Sequence, residues 1–311
     1  MDSQDGQLDL ADKKLVLIVN RKSGRRQGAA VIDLLRQQLA PAVQSLEVRM
    51  LGKGDDAAAI ARRAVLDGAD IVAALGGDGT QAAVAGALAG SDTLMALLPA
   101  GTFNYFAREL GVGEDLASAV KTILEGRVRL ISVGDLNGRI FLNNASFGAY
   151  PEILERRENH YSRWGRSRLG AYWSVLTALR DLRRPMHLVL TVQGEQRAWD
   201  TALAFVAKSA FQLETLGLDG ADEVRRDHFA LFVARARRAR DLLGPALRLA
   251  FGRAARETDF ELVIADDILI ETRPARRLVA YDGEKGHMTG PFHLRVVPKA
   301  LSVIVPLAEV K

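Results

Sequence analysis

Asp70-Ile71-Val72-Ala73-Ala74-Leu75-Gly76-Gly77-Asp78-Gly79-Thr80-Gln81 decides the fold. Its first half is a continuous apolar run, as expected of a strand covered on both faces. Its second half sets three glycines around one carboxylate ahead of a small-residue helical stretch. Glycine costs roughly 1 kcal/mol against alanine where ordered structure is wanted. In return it offers positive φ and bare amides that approach a ligand closely. A glycine loop at the carboxyl end of a parallel strand is where phosphate groups are held. The stretch therefore predicts an open α/β sheet and a bound nucleotide.

Strand and helix alternate on both sides of this loop. Leu15–Val19 reads as a strand, Asn20–Gly28 as a basic, glycine-containing turn, and Ala29–Leu39 as a helix stopped before Pro41. Ser45–Met50 predicts a second strand. Asp55 and Asp56 precede a helix over Ala57–Leu66, and Gly68 follows its end. Thr80–Leu88 predicts a helix, Leu94–Leu98 a fourth strand, and Asp115–Leu124 a helix closed by Gly126. This βαβα order predicts a parallel-sheet, three-layer α/β/α domain over residues 13–133. Near residue 130 the pattern changes. Asn137-Gly138 between Ser132–Leu136 and Arg139–Asn143 is a hairpin signal. Short strands then dominate: Met186–Val192, Trp199–Ala207, Phe229–Ala234, Phe260–Ala265, Ile268–Thr272, Leu278–Tyr281, Phe292–Val297 and Leu301–Val305. They predict a mainly antiparallel β-sandwich domain over residues 134–306, with tails at 1–12 and 307–311.

The 311 residues suffice for two domains. Hydrophobic residues make up 48% and charged residues 26%, ordinary for a globular protein with a normal core. With no cysteine in the chain, disulfides, thiolate metal sites and thiol catalysis are excluded. The polar N-terminus is unlike a secretory signal, and no apolar run approaches ~18 residues. The expected location is the cytoplasm, or the periphery of the inner membrane face. Net charge is only +4, but arginine is concentrated in 153–184, among Tyr161, Trp164, Tyr172 and Trp173, and again in 235–256. Such segments suit an anionic membrane surface, or simply a solvated helix face. No nucleic-acid-binding motif accompanies them.

Three loops should share one sheet edge. Asn20-Arg21-Lys22-Ser23-Gly24 follows the first strand and offers amides, a hydroxyl and two cations. Gly76–Thr80 follows the third. Pro99-Ala100-Gly101-Thr102-Phe103-Asn104-Tyr105-Phe106-Ala107-Arg108 follows the fourth, where Thr102 could equally be a plain helix cap. Asp78 repels bare phosphate. It makes sense as a ligand to Mg²⁺ or as the acceptor of a hydroxyl proton.

These loops, with Asn143-Asn144-Ala-Ser-Phe-Gly148 and Tyr281-Asp282-Gly283-Glu284, resemble the catalytic domain of the diacylglycerol kinase family, including bacterial soluble lipid kinases and sphingosine kinases. The likeness runs over roughly residues 13–306. The GGDGT element alone is shared with NAD kinases. The resemblance implies an ATP-dependent kinase that phosphorylates a lipid hydroxyl with Mg²⁺, binding ATP between two domains. Carried over by position, Asn20, Arg21, Lys22, Ser23, Gly24, Gly76, Gly77, Asp78, Gly79, Thr80, Gln81, Ala82, Gly101, Thr102 and Asn104 would bind the nucleotide. Asp78 would meet the catalytic Mg²⁺ through it. Glu284 is similar to the proposed general base and Asp78 is the competing candidate. Asp282-Gly283 also reads as an ordinary hairpin turn.

The partners implied are a lipid substrate and a membrane surface, without nucleic acid; a homodimer is left open. Two stretches depart from the family pattern. Tyr105 stands where an aspartate is usual. Arg225-Arg226-Asp227-His228 stands where many bacterial members carry an Asp-Asp-Gly that binds a structural Mg²⁺, so that site is expected to be absent or altered. Two other functions remain open on the residues: an NAD kinase-like enzyme with a soluble acceptor, and a non-catalytic nucleotide-binding protein.

Overall fold

The computed structural model describes residues 6–20, 29–52, 54–149, 185–242 and 259–307. Their contacts divide into two compact units, residues 1–133 with 297–311, and residues 134–296.

The first unit is built on strands β1 (Lys14–Asn20), β2 (Ser45–Leu51), β3 (Ile71–Gly76) and β4 (Leu94–Pro99). They lie in the order β2-β1-β3-β4, all parallel. The continuous apolar runs are the cause. Every residue of β3 is buried, and so are Leu15 to Val19 of β1, which leaves no face for water. Helices α1 (Ala29–Leu39), α2 (Ala57–Leu66), α3 (Asp78–Leu88), α4 (Tyr105–Glu109) and α5 (Leu116–Glu125) cover the sheet. Pairs α2–α3 and α1–α5 pack on one another. Asp56 caps α2 by accepting the Ala58 amide, and Asp115 caps α5 by accepting the Ser118 amide. Each such cap is worth about 1 kcal/mol.

The second unit is a two-sheet sandwich. One sheet has the order β12-β11-β10-β7-β14-β15, from β7 (Asn144–Gly148), β10 (Leu203–Ala207), β11 (Phe229–Ala234), β12 (Phe260–Ala265), β14 (Arg276–Tyr281) and β15 (Glu284–Thr289). Its pairings are antiparallel. The other sheet brings together β8 (Met186–Val192), β9 (Glu195–Thr201), β13 (Asp267–Arg273) and the start of β16 (Phe292–Val305). Alternate residues of both sheets, among them Phe147, Val206, Leu231, Leu188, Ile270 and Phe292, meet in one core. Helices α6 (Ala210–Leu216) and α7 (Ala221–Arg225) pack on one another and cover the outer side of the first of these sheets. The sandwich and the α/β layer agree with the fold class expected from the sequence. β5 (Arg127–Leu136) and β6 (Arg139–Phe141) form the expected hairpin. Its turn residues Asn137 and Gly138 both have positive φ, as a two-residue turn of this hand requires.

Several elements depart from the sequence reading. Phe292–Val305 is one strand, not a pair. The chain passes Pro298 by setting Lys299 in the left-handed region, and the Lys299 amide donates to Ser132 Oγ at 3.3 Å. The second half of β16 belongs to the first unit, where Val303 pairs with Met95 of β4. Residues 297–306 therefore do not join the second domain, as a contiguous 134–306 would require. Trp199–Ala207 is broken at Ala202, where the chain leaves β9 of one sheet for β10 of the other, and Thr201 Oγ1 bonds the carbonyls of Leu203 and Ala234 at that step. Among the described residues no helix is long and apolar enough to cross a membrane.

Candidate active site

Parallel strands in adjacent positions bring their carboxyl ends level. Val19 of β1 pairs with Leu75 of β3, and Gly76 of β3 with Pro99 of β4. Asn20, Gly76 and Pro99 thus stand at one sheet edge, and three hydrogen bonds tie them together. Asn20 Nδ2 donates to Thr80 Oγ1 at 2.8 Å. The Ala100 amide donates to the Gly76 carbonyl at 2.9 Å. The Asn104 amide donates to Asp78 Oδ2 at 3.0 Å. Residues 21–28 lie outside the described residues, so Arg21, Lys22, Ser23 and Gly24 are not placed.

None of Gly76, Gly77, Gly79 and Gly101 adopts the positive φ that the sequence reading expected of this loop. Close approach requires at least three of them instead. A Cβ on Gly76 would lie 2.6 Å from the Thr80 side chain, and one on Gly101 would lie 2.8 Å from the Gly77 Cα and 2.7 Å from Asn104 Oδ1. The two loops pass back to back through Gly77 and Gly101. Gly101→Ala is accordingly expected to cost about 1–3 kcal/mol through overpacking, read as a lowered thermal midpoint.

Asp78 is the first residue of α3, with Gly77 in extended conformation before it. Its Oδ2 accepts the Asn104 amide, and the amides of Tyr105 and Phe106 also favour its charge, so it caps the start of α4 from a neighbouring helix. This cap was not legible in the sequence, because α4 is only five residues long. Burial pushes the Asp78 carboxyl above the usual carboxylate range, and those amides pull it back only in part. Its second oxygen, Oδ1, is buried with no hydrogen-bond partner. Three residues on, Gln81 is fully buried with Oε1 likewise unpartnered, while its Nε2 lies 3.4 Å from the Gly76 carbonyl. Thr80 and Ala82 are buried and Thr102 is exposed.

Asn104 is a structural pin. It sits at φ 50 and ψ 42, left-handed, with its side chain turned back on the loop. Oδ1 accepts the Gly101 amide at 2.8 Å and Nδ2 donates to the Gly101 carbonyl at 3.2 Å. On either side of it, Phe103 and Tyr105 stack with parallel rings, centroids 5.4 Å apart. Arg108 forms an ion pair with Glu114 at 3.0 Å.

In the second unit, Asp282 and Gly283 form the tight turn between β14 and β15, both at positive φ, with Tyr281 opposite Glu284. Glu284 opens β15 and is exposed. Asp282 does more than turn the chain. It is buried, and its carboxylate accepts the amides of Leu142, Asn143 and Asn144 at 2.6, 2.7 and 3.1 Å. Its own amide donates to the Asn144 carbonyl. The Asp282-Gly283-Glu284 turn is thus clamped onto the Asn143-Asn144 segment, and Asn144 Nδ2 donates in turn to Gln212 at 3.0 Å.

The stretch 225–229 holds cations among acids. Arg225 pairs with Glu214 and Asp222, Arg226 with Glu223 at 3.0 Å, and Lys208 with Asp227 at 3.7 Å. The His228 ring meets the Arg226 carbonyl at 2.9 Å. Among the described residues no group of three His, Asp or Glu side chains is gathered to hold a metal ion.

Comparison with known proteins accords with this edge. Residues 14–136 match the family model of the diacylglycerol kinase catalytic domain. The chain is 35% identical over 139 residues to a probable lipid kinase YegS-like of Pseudomonas aeruginosa, and covers 44% of it. It is 33% identical over 151 residues to a diacylglycerol kinase of Bacillus subtilis, and covers 48% of it. The matched segment thus spans about half the length of these relatives. A solved diacylglycerol kinase structure from Bacillus anthracis superposes with a TM-score of 0.68 at 23% identity, over 94% of this chain and 97% of the other, a likeness of fold. The resemblance read from the three loops is thus matched, over residues 14–136, by the model of the diacylglycerol kinase catalytic domain.

Proposed function

We propose that this chain transfers the γ-phosphoryl group of ATP to the hydroxyl of a lipid acceptor of the diacylglycerol type. The observation that supports this most is the edge where Asn20, Gly76 and Pro99 end side by side, tied through Thr80, Ala100 and Asp78. Phosphoryl transfer asks for positioning and charge neutralisation more than for covalent chemistry. A rigid edge with a glycine loop, a helix N-terminus and one poised carboxylate supplies the positioning.

The donor chemistry fits a divalent cation. Asp78 Oδ1 is a hard oxygen, buried and without a hydrogen-bond partner, of the kind Mg²⁺ takes. Mg²⁺ held there with the nucleotide would neutralise charge on the phosphates. The residues do the rest. The loop amides orient the phosphates, Thr80 Oγ1 is held by Asn20, and one carboxylate takes the proton from the acceptor alcohol. Asp78 and Glu284 are the two candidates for that role. Asp78 can be the base only where Mg²⁺ does not take its Oδ1, and its carboxyl is raised by burial toward the range a general base needs. Glu284 offers an exposed carboxylate on a turn that Asp282 immobilises. A membrane surface as partner belongs to the same proposal; the arginine-rich segment 153–184 that suggested it lies outside the described residues.

The test is labelling of extracted lipids with [γ-³²P]ATP and Mg²⁺. A labelled lipid, lost in Asp78→Asn, is expected. NADP formed from NAD, with no labelled lipid, would replace this reading by a soluble-acceptor kinase.

A further inference from the structure

We propose that the stacked pair Phe103–Tyr105 is the subsite for the apolar chain next to the reacting hydroxyl, so that the enzyme selects a chain-bearing alcohol over a polyhydroxylated or charged one. This rests on the lipid kinase reading and names its acceptor more closely.

Phe103 keeps 59% of its surface exposed and its ring lies parallel to that of Tyr105, within 2°. An apolar ring left in water forgoes burial worth about 1.5–3 kcal/mol. Here the backbone holds it out. Asn104 between the two rings is left-handed, is bonded twice to Gly101, and gives its amide to Asp78. The pair is therefore preorganised, and a ligand pays little to order it.

Its position says what it meets. The Asp78 carboxylate accepts the amide of Asn104, the residue between the two rings. An alcohol that gives its proton to Asp78, rather than to Glu284, sets its carbon chain beside this segment. The polar side chain between the two rings is already engaged. Both the oxygen and the nitrogen of the Asn104 amide are used by Gly101, Phe106 is buried, and Arg108 pairs with Glu114. An apolar chain needs none of these groups, and gains by covering the rings.

The experiment measures KM for dioctanoylglycerol in detergent micelles, or for whichever chain-bearing alcohol the wild type labels if that one is not used, and KM for ATP. The proteins are wild type, Phe103→Ala and Phe103→Leu. Phe103→Ala should raise the KM for the lipid about tenfold, with the KM for ATP within twofold and the thermal midpoint unchanged. Phe103→Leu should recover to within about threefold, since apolar area and not ring stacking is what matters. An unchanged lipid KM in Phe103→Ala overturns the proposal while leaving the kinase reading intact. A raised KM for ATP instead assigns the rings to the nucleobase and also overturns it. If the wild type labels no lipid at all, the kinase reading and this subsite fall together, a result already visible without the variants.

Discussion

Asp282→Ala is expected to lower the thermal midpoint of the protein by about 6–12 °C, the largest stability effect of any single change considered. The carboxylate is buried and accepts three backbone amides at Leu142, Asn143 and Asn144. Removing it leaves three donors buried without an acceptor, at about 3 kcal/mol or more. A unit of this size loses about 2–4 °C per kcal/mol. Alanine also fits poorly at the φ of 46° that residue 282 adopts. Asp282→Asn separates the two contributions. Asparagine tolerates the left-handed turn and keeps one acceptor oxygen, so it should lose roughly half as much. A midpoint for Asp282→Ala within two or so degrees of wild type would show that the clamp holds little.

The second large effect is on turnover. Asp78→Asn should reduce kcat/KM for phosphoryl transfer by about 10²- to 10⁴-fold, the usual contribution of a general base. Its effect on stability should have the opposite sign or none. The folded protein raises the carboxyl pKa of Asp78 through burial. Between the ordinary carboxylate value and the raised one, the folded state holds more protons than the unfolded state. The favourable contribution is thus present at low pH and is lost as pH rises through that window. At neutral pH the ionised, half-buried carboxylate is a liability to the fold, and an amide of the same shape still accepts the Asn104 amide. Melting curves across acid to neutral pH should show Asp78→Asn equal to or above wild type at neutrality, with part of the pH slope removed. Loss of activity accompanied by an equal loss of stability would mean that Asp78 serves the α4 cap and nothing more. Glu284→Gln is the companion measurement: the variant that abolishes the acid limb of the pH–rate profile identifies the base.

What could be read from the sequence was local and periodic. Leu15–Val19 and Ile71–Leu75 are continuous apolar runs, and no other burial fits them than a parallel strand with two covered faces. Asp56 sits one residue before helical periodicity begins, as caps do, whereas Asp115 reads as the first helical residue and is the cap. Asn137-Gly138 and Asp282-Gly283 announce their turns by residue type alone. What could not be read was tertiary. Asp282 looks the same in sequence whether its carboxylate faces water or, as here, three amides about 140 residues away. The approach of Gly77 to Gly101 joins two loops that only the sheet order brings together, so the residue type alone does not tell contact from positive φ. α4 is too short to show periodicity, and the left-handed Asn104 that starts it follows from the Gly101 and Asp78 contacts rather than from its neighbours. At Pro298 the opposite holds: the residue type predicts a strand end, and the strand runs on through it because Lys299 turns left-handed.

That last strand bears on how the protein is made. The first unit includes Leu301 and Val303, both fully buried, on a strand beside β4, yet the ribosome delivers them just over 200 residues after β4 itself. The N-terminal layer must therefore wait, its edge open, while the intervening sandwich emerges and folds as a body of its own. A fragment ending where the family match ends would carry that gap permanently. Excising 134–296 would keep β1 to β4 whole and the second half of β16 with them, at the cost of cutting β5 and β16 within their lengths.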